Sequence, residues 1–276
     1  MKNKYLLFII FILLIVIMIL ILMIVAPSGS DKSEDEEKNR WEILGLSSDK
    51  MDSIMDRSQH ASPKLLENQC NIGNSLSCFT LGSLYGFDKL IDKANIPGFK
   101  RDPGKSIEFY LRACDLGESL GCGFAVMFLA DEGKDFKKSL EVAELGCELN
   151  DPVSCGIGGA ILTEKGIDIR DYKKAYELSS KGCNLKNLVG CHALGMIYEN
   201  GYGVERDYHM ASELFMKGCS GNFGLSCVSI GFSYVHGNGV RQDLRKAKEY
   251  FGKACDLGEQ TGCDRYRALN EMESSR

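Results

Sequence analysis

Apolar positions follow two regimes along the chain. Residues 6–26 form one unbroken run, LLFIIFILLIVIMILILMIVA, with Lys2 and Lys4 before it and the acidic stretch DKSEDEEK after it. A run of that length predicts a helix that spans a bilayer. Positive charge ahead of the span places the N-terminus in the cytoplasm and the rest of the chain outside. The run is longer than a signal-peptide core, and Pro27 follows Val25 and Ala26, a poor place to cut. Residues 1–26 are therefore expected to be an uncleaved signal anchor, with a cleaved peptide as the alternative. Residues 27–40, PSGSDKSEDEEKNR, are polar and predict a solvated linker. Residues 41–69 carry Ile43, Leu44, Leu46, Leu65 and Leu66 and predict an N-terminal helical segment. The single tryptophan, Trp41, reads as a packing or membrane-interface residue.

From Cys70 onward the pattern is periodic. Ser154–Cys183, Gly190–Cys219 and Ser226–Cys255 superimpose in register, and each predicts helix, glycine-bearing turn, helix. In the first helix a glycine recurs at Gly82, Gly159, Gly195 and Gly231, and three residues later stand Tyr85, Leu162, Tyr198 and Tyr234, with Leu129 in the same place. A helix-interior glycine costs about 1 kcal/mol against alanine, so its recurrence predicts a neighbouring helix backbone in close approach. The stripe three residues on predicts core. Asp102, Asp135, Asp171, Asp207 and Asp243 each stand twelve residues before a cysteine and predict helix N-caps. Ala175, Ala211 and Ala247, with Tyr110, Phe215 and Phe251 four positions beyond that point of the repeat, predict the buried stripe of the second helix. Gly117, Asn150, Asn222 and Gly258 suit a left-handed residue at its end. The fold class is all-α: an α/α solenoid over residues 70–276 in which each helix pair buries its face against its neighbours. DRYRALNEMESSR, after Cys263, lacks the glycine and is charged, as a capping helix would be.

The cysteines change the picture most. All twelve fall in pairs eight apart: Cys70 and Cys78, Cys114 and Cys122, Cys147 and Cys155, Cys183 and Cys191, Cys219 and Cys227, Cys255 and Cys263. First cysteines of successive pairs are 44, 33, 36, 36 and 36 residues apart. Each pair spans the corner between one helix pair and the next, where helix ends meet within disulfide reach. Outside the cytosol this predicts six local bridges, each contributing roughly 2.5 kcal/mol by loop-closure entropy. Structural zinc sites usually bring paired ligands two to four residues apart, and a uniform gap of eight gathers no four ligands at a point, so no metal is expected.

Candidate chemistry is sparse. A formal net charge of -5 and the lack of a basic cluster argue against nucleic acid. Gly201–Gly203 and Gly237–Gly239 follow no strand and lack the lysine of a phosphate loop. One S-x-x-K occurs, Ser47 to Lys50, without S-D-N or K-T-G. The four histidines, His60, His192, His209 and His236, do not repeat in register, although His192 and His209 share one repeat. No residue takes a catalytic role, and no cofactor is implied.

The stretch from His192 to Cys219 reads xALGxxYxxGxGVxxDxxxAxxxFxKGC. It resembles the Sel1-like repeat, a relative of the tetratricopeptide repeat. The added cysteines resemble those of the Helicobacter cysteine-rich protein family, the disulfide-linked branch of Sel1-like proteins. The resemblance covers about residues 70–270; the repeat from Cys114 is three residues short, and the one from Cys70 carries eight extra around FDKLIDKANIPGFK. It implies a right-handed superhelix with a concave groove. It also implies β-lactam binding or slow hydrolysis, because family members are commonly catalogued as β-lactamases. The expectation is an inner-membrane-anchored scaffold with its repeats in the periplasm, secreted if the anchor is cut. Its groove would hold a protein, a peptide or a peptidoglycan-like ligand. The alternative is a penicillin-binding protein with weak β-lactamase activity.

Overall fold

The computed structural model describes residues 62–87, 100–131, 135–164 and 171–274. The expected anchor, the linker, Trp41, the Ser47–Lys50 pair and His60 lie outside these residues. Among the described residues no helix is long and apolar enough to cross a membrane.

The described residues form twelve helices: α1 (Pro63–Asn71), α2 (Ser75–Gly86), α3 (Pro103–Asp115), α4 (Ser119–Asp131), α5 (Phe136–Glu148), α6 (Pro152–Thr163), α7 (Tyr172–Asn184), α8 (Leu188–Asn200), α9 (Tyr208–Ser220), α10 (Gly224–His236), α11 (Leu244–Asp256) and α12 (Gln260–Ser274). Each packs on the next along the chain, so the array is built from neighbour contacts. Even-numbered helices are the first helices of their repeats. From α2 to α10 they are apolar on nearly every side, and in α4 every residue from Leu120 to Ala130 is buried, whereas the last, α12, buries only Gly262. Odd-numbered helices are amphipathic. In α11 only Ala247, Phe251 and Ala254 are buried, a stripe at helical spacing.

Start signals are local. The Oδ1 atoms of Asp102, Asp135, Asp171, Asp207 and Asp243 accept from the backbone N–H two or three residues on, at 2.9 to 3.1 Å. The N–H bonds that α3, α5, α7, α9 and α11 lack at their starts are met in this way. Stop signals are equally regular. Gly73, Gly117, Asn150, Lys186, Asn222 and Gly258, each three residues after a first cysteine, all have positive φ. That left-handed residue turns the chain from a second helix into the next first helix. Lys186, with φ 67°, fills the place without the usual side chain for it.

Candidate functional site: the face of the first helices

Six disulfides close the six corners, with Cα–Cα distances from 4.4 to 4.8 Å, and no cysteine is free. From the second corner on, the helices meet this closely because the residue before each cysteine is glycine, alanine or serine. A Cβ on Gly146 would lie 2.2 Å from the Ser154 hydroxyl, and one on Gly218 equally close to Ser226. Where Ala113 and Ala254 stand on one side of a corner, Gly121 and Gly262 stand on the other.

A second register links successive repeats. The residue four after each first cysteine is buried at Asp151, Asn187, Phe223 and Glu259. Asp151 and Asn187 lie against Gly123 and Gly156 of the preceding first helix. At the next junction the partner of Phe223 is His192, ring to edge with centroids 5.5 Å apart. Glu259 lies on Gly224, where a Cβ would meet its side chain at 2.6 Å. Burial pushes the Glu259 carboxyl from 4.5 up to about 7. Between those values the folded chain holds a proton that the unfolded chain releases, so stability falls as pH rises through that window and is flat above it. The unfolding free energy should be about 1–3 kcal/mol lower at pH 8 than at pH 5 in the parent, and should change much less in Glu259→Gln. Equal pH slopes in the two proteins would show that Glu259 does not carry the effect.

The histidines do not assemble. His192 Nδ1 is 3.1 Å from the Ser226 hydroxyl, the geometry of a base beside a nucleophile. Ser226 is fully buried, however, and His192 also packs on Phe215. The imidazole keeps an edge toward solvent, yet surrounding atoms lower its pKa to about 4 by burial. This is a core contact. His209 is exposed beside Glu213 at 3.7 Å, and His236 lies parallel to Phe232. Among the described residues no three His, Cys, Asp or Glu side chains are grouped to hold a metal.

What remains as a candidate surface is the half-buried row on the first helices. Ala160, Met196 and Phe232 each stand five residues after a second cysteine, on α6, α8 and α10, and all are half-buried against the core. First helices also meet across repeats: α4 packs on α6, α6 on α8, and α10 on α12. On α12 the same face brings Arg265 over the Phe232 ring, 5.3 Å from its centroid.

The Sel1 repeat pattern matches residues 76–118, 159–187, 188–223 and 225–259, more than half of the chain. The chain belongs to the Sel1 repeat family. Two solved structures show the same fold. One is a protective antigen of uropathogenic Escherichia coli strains, described as displaying an SLR fold, with 22% identity and TM-score 0.64 over 76% of this chain and 44% of that one. The other is a Sel1 repeat protein from Oxalobacter formigenes, with 19% identity and TM-score 0.56 over 75% and 59%. This Sel1 repeat chain thus spans less than two thirds of either. Helicobacter pylori cysteine rich protein B is similar at 32% identity over 48% of this chain and 94% of that one, with TM-score 0.38. No curated protein matches.

The Sel1 repeats also use residues that sequence reasoning passed over. Lys181 and Lys217, two before a first cysteine, donate to the carbonyls of Cys147 and Cys183, 34 residues back. Arg112, at the equivalent place, donates to Asn71 Oδ1 at 2.8 Å. A cation at the last carbonyls of the preceding second helix satisfies acceptors that the helix leaves open. The recurring Lys-Gly-Cys triplet carried this signal, but its target lies one repeat away.

Proposed function

We propose that this Sel1 repeat protein is an extracytoplasmic binding scaffold, held at the membrane by residues 1–26. The first-helix face is the concave side of the array and takes a peptide segment of a partner protein. The observation that carries the reading is the row Ala160, Met196 and Phe232: one half-buried apolar side chain per repeat, at a fixed register, on the first helices of three successive repeats, of which α6 and α8 pack on each other. Helical repeat arrays use such continuous faces to hold extended partners. The disulfides suit an oxidising compartment outside the cytosol.

The test is fluorescence polarisation of the detergent-solubilised full chain against a peptide library, with muropeptides and a chromogenic cephalosporin alongside. Met196→Gln and Phe232→Ser are each expected to weaken peptide binding about tenfold, the size of a lost hot-spot side chain. Helix content at assay temperature should be unchanged. Binding that ignores both substitutions would place the site elsewhere. Binding of muropeptides alone, or turnover of the cephalosporin, would replace the protein partner with a cell-wall or β-lactam ligand.

A further inference from the structure

We infer that the α10–α12 junction of this face is a site for the free carboxylate at the C-terminus of a peptide. The inference rests on the peptide-binding reading above and names what the peptide presents there. Phe232 is half-buried, with its edge on the buried ring of Phe251 at 5.2 Å, so the ring is fixed. Arg265 sits over it with the guanidinium carbon 5.3 Å from the centroid. That contact uses the charge of the guanidinium and leaves its N–H donors for another partner. The nearest acid in sequence, Asp264, is already engaged by Gln260 at 2.9 Å and by Arg267 at 3.7 Å. Among the described residues no carboxylate forms an ion pair with Arg265.

His236, one turn along α10 from Phe232, lies parallel to that ring with centroids 6.3 Å apart and is exposed, so its imidazole borders the same ring as the guanidinium. Met196 and Phe232 pack on one core cluster, and Phe232 offers an apolar surface beside these donors. Two nitrogen donors next to an apolar patch match an apolar last side chain and its terminal carboxylate, and a guanidinium fork reads a carboxylate through two parallel N–H bonds. The source to which we commit is the C-terminus of an ordinary L-peptide.

The experiment measures binding of the full chain in detergent to L-peptides ending in leucine or phenylalanine, each made as the free acid and as the C-terminal amide. The acid should bind at least about tenfold more tightly, the scale of a charge-assisted hydrogen bond. Arg265→Gln should erase that difference, whereas Arg267→Gln, on the same helix but paired with Asp264, should keep it. Both arginines are exposed, so neither change disturbs the core. Acid and amide binding equally, with Phe232 still required, overturns the carboxylate site and leaves the scaffold reading standing. Binding of no peptide overturns both. A stem peptide ending in D-alanine that binds in place of every L-peptide overturns the assigned source.

Discussion

Gly182→Ala destabilises the array by about 3 kcal/mol or more, the upper end of what an overpacked core costs. A Cβ on Gly182 would lie 2.8 Å from the Gly156 nitrogen, 2.9 Å from its Cα and 3.2 Å from the Cys155 carbonyl carbon. All three contacts are backbone, so no side-chain rotation relieves them. Other corners tolerate one small side chain, as the Gly146–Ser154 and Ala113–Gly121 pairs show. Between α7 and α8 there is none, because Gly156 of α6 fills the space: it lies against Gly182 and Gly190 alike. Three helices meet there on three glycines, and a close-packed interior transmits the displacement to the Cys147–Cys155 and Cys183–Cys191 corners. Gly104→Ala is the control. It is exposed in the first turn of α3, with only Asp102 Oδ1 near at 3.4 Å, and should gain up to about 1 kcal/mol from helix propensity. Denaturant midpoints of the disulfide-intact proteins decide the matter. Similar midpoints for the two variants would mean that the three-helix contact is softer than its geometry.

That contact shows where the sequence was legible and where it was not. The aspartate caps and the cysteine corners rest on chemistry within a few residues, so fixed offsets were enough to place them. The recurring glycine of the first helix announced a close neighbour, but the neighbour differs from the backbone expected. At Gly82, Gly195 and Gly231 it is the ring of Tyr110, Phe215 or Phe251; only Gly159, facing the small Ser179, meets backbone nitrogen at 2.8 Å. The size of one residue on the second helix decides between the two. The face carrying Met196, Phe232 and Arg265 was not legible. DRYRALNEMESSR reads as a charged cap, and Arg267 does stand where glycine stands in α10. Yet Arg265, two residues earlier, finds its ring on another first helix, 33 positions back. Contacts between repeats depend on how repeats are stacked, which a residue pattern within one repeat does not record.

Stepwise reduction should strip the sixth bridge first and then unfold the remainder. Each cysteine from Cys70 to Cys227 is at most 4% exposed, whereas Cys255 and Cys263 are both half-buried. The inner bridges are covered because a further repeat packs on each corner and, at Cys147 and Cys183, places a lysine on the carbonyl. Exchange needs a thiolate to reach a sulfur, so access sets the order. Alkylation at low reductant should therefore label Cys255 and Cys263, with helix content unchanged. Higher reductant should label the other ten cysteines together as helix content is lost. At roughly 2.5 kcal/mol per closed loop, six bridges contribute on the order of 15 kcal/mol, as much as the whole net stability of an ordinary domain. A fully reduced chain should then be unfolded near neutral pH. By the same reasoning, Cys183→Ser leaves a thiol at Cys191 that resists titration until denaturant opens the corner, because Cys191 is fully buried. Early labelling of an inner pair such as Cys147 and Cys155 would overturn the order. A reduced chain that kept its helices and its melting transition would show that packing between repeats, and not the bridges, holds the binding face in shape.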